Sequence, residues 1–547
     1  MITSYGHNLY EVIFMRRRSE RGILILTAAF FLMFSVIVCN YMRLSQEREH
    51  VRTAEESSFI TINAGDTQGT VYDRNFVPLT NAESSVVAVA VPSAVTLDEL
   101  YDYAADKSDL SERYSSGKPF AFRCVRRGED TAGVTFFEVP VRCSRNMTAP
   151  HVVGYLSEGR GATGIEYAYD RILRGGNMEN SVTYSTDGFG NILIGAGKDV
   201  IRSTKQETGV VTTIDSRIQR ICERAGRSID KGAIVVTDVD TGEILALASF
   251  PGFSVDDIGA ALTDERSPLI NRALYSYSVG SAFKLVTACE GLNERLGGYV
   301  YECTGSIDVG GQVFRCHKYD GHGVQTMSEA MTNSCNTYFI ALSKLLDTQK
   351  YRSLASELGF GKEIYLCAGM TASAGVLPTG EELLIPAELA NFSFGQGRLT
   401  ATPLQVNALT CAIANGGELP MLSIMRGITI DGESVGNEKP PRRSRVMSVE
   451  TAADLRKMMI EAVYLNDASK ARPQYIRAGA KTSTAQTGRF GDDGEELCHA
   501  WITGFLPSSS PTYAVTVLVE DGGYGNDAAA PVFAEIADGI INEKAAP

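Results

Sequence analysis

Gly22 to Met42, "GILILTAAFFLMFSVIVCNYM", is an unbroken run of uncharged residues, unlike anything else in the chain. At a rise of ~1.5 Å per residue such a run crosses a ~30 Å hydrocarbon layer as a helix, so the pattern predicts one transmembrane span over residues 22–42. Arg16, Arg17, Arg18 and Arg21 crowd its N-terminal flank. Positive charge favours the inner side, which predicts residues 1–21 in the cytoplasm and everything after the span outside. A cleaved signal peptide is the rival, but the run is longer than a usual apolar core and no small-x-small site follows at "CNYMRLSQERE". The next residues, 43–56, are charged and free of glycine and proline, which predicts a helical stalk.

Beyond the stalk the pattern alternates with period two. "SSVVAVAVPS" and "GVTFFEVPVRC" read as strands between turn-rich pieces, so residues 43–204 are expected to form a stalk and a separate pedestal domain. From residue 205 to 547 a second domain is expected. Its start holds a strand running into an amphipathic helix, "VVTTIDSRIQRICERAGRSI", and two apolar strands joined at Asp240-Thr241-Gly242. Its end holds three further strands in succession, around "RAGAKTSTAQT", "CHAWITGFLP" and "TYAVTVLVED". Two early and three late strands around a helical middle predict an α+β domain, one antiparallel five-stranded sheet with helices packed on it.

Composition narrows the function classes. The chain has 547 residues, enough for two or three domains, and 44% hydrophobic with 21% charged residues is ordinary for a globular protein. A net charge of −14 leaves no basic excess for phosphate neutralisation, so a nucleic-acid partner is not expected. The eleven cysteines are too sparse for a disulfide scaffold. Cys303 with Cys316, and Cys124 with Cys143, are near enough in sequence to pair in an oxidising compartment. Cys303, Cys316, His317, His322 and Cys335 also include zinc-ligand types, but their spacing fits no standard finger, so plain buried thiols are expected, with no metal and no cofactor.

Within "YSYSVGSAFKLVTACEGL" (275–292), Ser281 and Lys284 are three residues apart at the head of an apolar helical run. On a helix that spacing places hydroxyl and amine on one face, where an amine can activate an alcohol. The same tetrapeptide spacing arises about twice by chance in a chain this long, and taken alone it favours a helix cap beside a solvated lysine. Other motifs do less. "GRGATG" (159–164) matches a dinucleotide fingerprint but lacks βαβ surroundings and is expected to be a structural turn. "GAGKDV" lacks the parts of a phosphate loop, and "NFSFG" around Ser393 lacks the first glycine of a nucleophile elbow. None of the six histidines stands in H-E-x-x-H. Downstream, "MTNSCNTYF" offers Ser334 and Asn336 two residues apart, and "GAKTSTAQTG" offers Lys481, Thr482, Ser483 and Thr484 on a predicted strand that could pair with an extended ligand.

In that order, S-x-x-K, S-x-N and K-T-x resemble the penicillin-binding proteins, which share these elements with serine β-lactamases. "GEILALASFPGFSVDD", "FSFGQGRLTATPLQVNALTCAIANGG" and the C-terminal strands are similar to a transpeptidase domain, while "GTVYDRN" (69–75) and "GRGATGIE" (159–166) are similar to pedestal signatures of class B members. The sequence departs at Ser483, where glycine is usual, at Gln68, where arginine is usual, and at Val279, where proline is usual. Ser483 adds bulk that could alter acceptor or β-lactam fit.

The resemblance implies a peptidoglycan D,D-transpeptidase of the bacterial cell membrane. Ser281 would be the nucleophile and Lys284, desolvated and near the charge of Lys481, its base. Ser334 would relay the proton to the leaving D-Ala, Asn336 would orient Lys284 and substrate, and Lys481 with Thr482, Ser483 and Thr484 would hold the substrate. The backbone N–H groups of Ser281 and Thr484 would form the oxyanion hole. Implied partners are stem peptides ending in D-Ala-D-Ala, an acceptor amine, β-lactam antibiotics and a SEDS-type glycan polymerase. Two alternatives remain: a D,D-carboxypeptidase or β-lactamase, for which Glu388 in "AELAN" lacks the E-x-x-L-N form, and a non-catalytic β-lactam sensor or wall scaffold.

Overall fold

The computed structural model describes residues 5–46, 58–144, 147–175, 178–187, 189–202, 208–436, 440–491 and 494–545. Helix α1 (Tyr5–Gln46) contains the apolar stretch Arg21–Leu44, long and uncharged enough to cross a membrane. Its side chains there are exposed, as expected of a helix whose solvent would be lipid. Most of the predicted stalk, residues 47–56, lies outside the described residues.

The remaining chain forms two compact units that interleave in sequence. The smaller takes residues 1–66, 85–139 and 179–203; the larger takes 67–84, 140–178 and 204–547. In the smaller unit, strand Glu83–Ala90 lies between Phe120–Cys124 and Val134–Val141, and its alternate apolar side chains close on Phe122, Phe136 and Leu110. The short pieces 67–84 and 140–178 belong to the larger unit for a traceable reason. Thr70–Tyr72 pairs in parallel with Gly209–Thr212, Ala149 N donates to Glu223 Oε1 at 2.8 Å, and Val152, Ile165 and Leu173 share one apolar cluster with Val235 and Leu247. "GRGATG" is a turn, as expected: Thr163 stands at the N-terminal boundary of a short helix, and a side chain on Gly161 would collide with Glu166 O at 2.0 Å. Gln68, the departure from arginine, reaches that turn by donating to Gly159 O at 2.8 Å.

The larger unit is built on one antiparallel sheet. Helix α2 (Ser216–Ala225) precedes strands β1 (Gly232–Asp238) and β2 (Ile244–Phe250). Helices α3 (Lys284–Asn293), α4 (Asn336–Ser343), α5 (Pro403–Ala414) and α6 (Val449–Tyr464) follow, then β3 (Gly479–Phe490), β4 (Glu496–Leu506), β5 (Tyr513–Val519) and α7 (Gly525–Ala545). The strand order is β2-β1-β5-β4-β3, with both chain ends of the domain in one sheet and β3 on its edge.

Period two sorts the two faces. Ala500, Ile502, Val515 and Val517 turn toward α2 and α7, meeting Ile218, Ile221, Phe533 and Ile536. Trp501, Thr503, Thr516 and Leu518 turn the other way, toward α5, where Thr410, Thr503 and Thr516 pass one chain of hydroxyl contacts at 2.6 and 2.7 Å. Helix α5 is buried at every position, consistent with its apolar sequence and its Thr402–Gln405 capping box. Against α4 and α6 lies α3, whose buried run Lys284–Gly291 fixes where the serine at its head must sit.

Candidate active site

Three chain segments meet at the edge of the sheet. The first is a tight 3-10 turn, Gly280–Phe283, that carries Ser281 and runs directly into α3, of which Lys284 is the first residue. Gly280 has φ +63°, and a Cβ there would lie 2.6 Å from Ser483 Oγ and 2.7 Å from Thr484 O. Only glycine allows the turn to press so closely on β3. The second segment is β3 itself, with Lys481 and Ser483 buried on one side and Thr482 and Thr484 partly exposed on the other. The third is the loop between helix Met327–Thr332 and α4, where Ser334 adopts φ +51°, a left-handed conformation that is unfavourable for a residue with a Cβ.

Hydrogen bonds join these segments in pairs. Ser483 Oγ donates to Val279 O at 2.7 Å, tying strand to turn. Lys284 Nζ donates to Ser334 O and to Asn336 Oδ1, both at 2.7 Å, and lies 3.3 Å from Ser334 Oγ, tying helix to loop. Lys481 Nζ reaches Ser334 Oγ at 3.0 Å and Thr482 O at 2.8 Å, tying strand to loop. The triangle closes without any help from chain proximity. Ser281, Lys284, Ser334, Asn336, Lys481, Thr482, Ser483 and Thr484 therefore lie in one place, although the sequence spreads them over half the domain.

Two details differ from the sequence expectation. Lys284 makes no hydrogen bond with Ser281, because its three donors are directed at Ser334 and Asn336; catalytic contacts of this kind often tighten only with substrate bound. Ser483 does not fill the cleft. Residues alternate along a strand, so its side chain points with Lys481 into the protein, toward Val279. The hydroxyl of Thr484 is also engaged, accepting from Gly525 N at 3.1 Å.

The electrostatics follow from burial. Lys284 is fully buried, which lowers its pKa from the usual 10.5 to about 7. Lys481, also buried, is pushed well below its ordinary value, first by desolvation and then by the neighbouring charge of Lys284. Burial is the larger cause for both, and at Lys481 like-charge repulsion adds to it.

Some supports have no sequence motif. Tyr277 OH donates to Glu520 at 2.6 Å, Arg272 Nε donates to the same carboxylate at 2.9 Å, and Trp501 Nε1 donates to Ser278 O at 3.0 Å. They pin residues 272–278 to β4 and the end of β5, directly before the turn of Ser281. The lone tryptophan of the chain was a usable signal; the ion pair was not, because its partners are far apart in sequence. Glu388 sits in the first turn of helix Pro386–Ser393 and shares no hydrogen bond with the cluster, and Ser393 is buried with its hydroxyl on Ala390 O. A cavity of about 460 Å³ lined by His151, Glu223, Phe250 and Arg266 contains none of the cluster residues.

All the described cysteines are free thiols. Neither Cys303–Cys316 nor Cys124–Cys143 is bonded. Instead Cys303, Cys316, His322 and Cys335 converge beside Ser334 and Asn336, and His317 Nδ1 lies 3.9 Å from Cys316 Sγ at the margin of this group.

An S-x-x-K turn, an S-x-N loop and a K-T-x edge strand thus converge at one edge of this sheet. Residues 232–538 match the family model for the penicillin-binding protein transpeptidase domain, and the chain belongs to that family. It is similar to stage V sporulation protein D of Bacillus subtilis (strain 168), at 26% identity over 93% of this chain and 84% of that protein. It is also similar to the peptidoglycan D,D-transpeptidase MrdA of Acinetobacter baumannii, at 28% identity over 68% of this chain and 60% of that protein. Among solved structures, a chain of a peptidoglycan synthase complex that coordinates polymerisation and crosslinking superposes with TM-score 0.67 at 24% identity, over 94% of this chain and 98% of its own. Penicillin-binding protein A from M. tuberculosis, as a ceftriaxone acyl-enzyme, gives TM-score 0.62 at 24% identity, over 74% of this chain and 93% of its own. These place the chain among class B penicillin-binding proteins.

Proposed function

We propose that the chain is a membrane-anchored peptidoglycan D,D-transpeptidase acting through an acyl-enzyme on Ser281. The observation that carries this is the convergence of Lys284 and Lys481 on Ser334 Oγ, at 3.3 and 3.0 Å, with Ser281 in the 3-10 turn that runs directly into Lys284. Ser281 Oγ attacks the carbonyl carbon of the penultimate D-Ala, and its proton passes to the neutral amine of Lys284. The carbonyl oxygen takes up negative charge, met by the backbone N–H groups of Ser281 and Thr484. The C–N bond then breaks, and the terminal D-Ala leaves with a proton delivered through Ser334. An amine from a neighbouring stem peptide attacks the ester, forms the new amide and returns a proton to Ser281.

Lys481 supplies positive charge for the terminal carboxylate, and the partly exposed Thr482 lies beside it. The edge position of β3 leaves backbone groups for an extended donor peptide. Asn336 holds Lys284 in place. Ser483 belongs to the scaffold that sets the turn. Helix α1 anchors the chain with its arginine-rich start in the cytoplasm, and the larger unit performs the transfer outside. The relative named for a complex that couples polymerisation to crosslinking supports a SEDS-type glycan polymerase as partner in the membrane.

The test is turnover. A fluorescent penicillin should label the wild-type chain once and remain bound for many minutes, and a donor–acceptor peptide pair should yield cross-linked product. Rapid release of hydrolysed penicillin would favour a β-lactamase, and release of D-Ala without cross-links a carboxypeptidase. Absence of labelling would favour a scaffold.

A further inference from the structure

We propose that the cavity bounded by α2, the end of β2 and helix Pro150–Val153 binds an amino acid of the lysine type, its side-chain ammonium held inside by Glu223 and His151 and its carboxylate met at the mouth by Arg227. The cavity, of about 460 Å³, falls in the size range of small-molecule pockets and shares no residue with the Ser281 cluster. Three pieces of the larger unit enclose it. His151 comes from helix Pro150–Val153, Gln219 and Glu223 from α2, and Phe250, Pro251 and Phe253 from the end of β2 and the loop beyond it.

Two acceptors in this wall have no donor among the described residues. His151 is 8% exposed, and its Nε2 lies 2.6 Å from Pro268 O, which can only accept. That nitrogen therefore carries the proton of the neutral ring, and Nδ1 keeps a lone pair without a partner. Burial lowers the His151 pKa to about 4, so the ring stays neutral. Glu223 Oε1 accepts from Ala149 N at 2.8 Å and from Gln219 Nε2 at 3.1 Å, whereas Oε2 accepts from nothing and the carboxylate has no ion-pair partner among the described residues. Gln219 cannot turn to serve it, because its amide is fixed in both directions on the backbone of Leu247, donating at 3.1 Å and accepting at 2.8 Å. Burial pushes the Glu223 carboxyl above its ordinary value, and a cation beside it offsets that cost.

The chemistry of the wall selects the ligand. A group that serves both acceptors must donate more than one hydrogen and carry positive charge, which an ammonium does and a hydroxyl does not. Phe250, Pro251 and Phe253 give apolar surface for an aliphatic stem, and the Phe253 ring, perpendicular to His151 at 4.9 Å, adds an aromatic wall that suits a cation. Arg266 also lines the cavity but is engaged by Asp264 at 2.7 Å. Arg227 is exposed, has no acidic partner among the described residues and is left for a carboxylate. Negative charge inside and positive charge outside are the reverse of a lysine entering by its side chain. A simple anion would be drawn to Arg227 and repelled by Glu223.

The test is calorimetric titration of the full chain in detergent, with and without prior treatment with benzylpenicillin. The probes are L-lysine, norleucine, which lacks the side-chain ammonium, and cadaverine, which lacks the carboxylate. L-Lysine should bind saturably and equally in both preparations, with norleucine and cadaverine weaker by about tenfold or more. Glu223→Gln keeps an acceptor for Ala149 N and removes the charge, and Arg227→Ala changes only an exposed side chain, so the second variant reports even if the first fails to fold. Each should weaken L-lysine by about tenfold or more. The readout is binding, so it stands whether or not Ser281 is the nucleophile. No saturable binding of L-lysine, equal binding of norleucine, unchanged affinity in either variant, or binding abolished by benzylpenicillin would overturn the site.

Discussion

Lys284 and Lys481 meet on one hydroxyl, their nitrogens 3.3 and 3.0 Å from Ser334 Oγ, and both are buried. Two ammonium groups at such a distance in a poorly solvated site cannot both keep their protons at ordinary cost. The arrangement favours a state with one positive charge and one neutral amine, which is the state an alcohol nucleophile needs beside it.

The first consequence is a pH profile. Neutral Lys284 accepts the Ser281 proton, and its pKa is lowered to about 7. Acylation by penicillin should therefore be slow where Lys284 is charged and rise as pH increases through about 7. Lys284→Arg, charged at every accessible pH, should show no such rise and lose at least ~100-fold in rate. Stopped-flow labelling across pH measures both.

Ser334 carries a conformational cost for its role. Ser334→Gly removes the penalty of φ +51° and should raise stability by about 1 kcal/mol, while losing the shared hydroxyl should slow acylation by ~100-fold or more. Thermal melts and acylation rates on one preparation should move in opposite directions.

The place of Ser483 makes a different forecast. Its hydroxyl donates to Val279 O instead of facing substrate. Ser483→Gly and Ser483→Val both leave that carbonyl without its partner and should cost about 1–3 kcal/mol, and the glycine variant should keep acylation within a few-fold. Large loss of acylation in the glycine variant at full stability would show that Ser483 touches the ligand.

Gly280 should tolerate nothing larger. A Cβ at 2.6 Å from Ser483 Oγ and 2.7 Å from Thr484 O, at φ +63°, forces the turn off the strand. Gly280→Ala should abolish measurable acylation even in molecules that remain folded by circular dichroism.

Much of this was legible in the sequence because the chemistry is carried by short local patterns. The span at 22–42, the strands around Asp240-Thr241-Gly242 and the three motifs each announce themselves within a dozen residues. What was hidden depends on tertiary geometry. The side of β3 that Ser483 occupies is decided by strand register against β4, where it pairs with Trp501. The pieces 67–84 and 140–178 join the larger unit through a parallel strand pair and the hydrogen bond from Ala149 N to Glu223, neither of which leaves a periodic trace. The cysteine–histidine convergence spans two hairpins and a helix start, so no spacing rule reports it.

The central claim is that Ser281 becomes acylated. Intact-protein mass of the chain after incubation with benzylpenicillin, beside a Ser281→Ala control, tests it most directly. The account predicts a single stable adduct of the mass of the intact antibiotic on the wild type and none on the variant. An unmodified wild type, or an adduct that persists in Ser281→Ala, would contradict it.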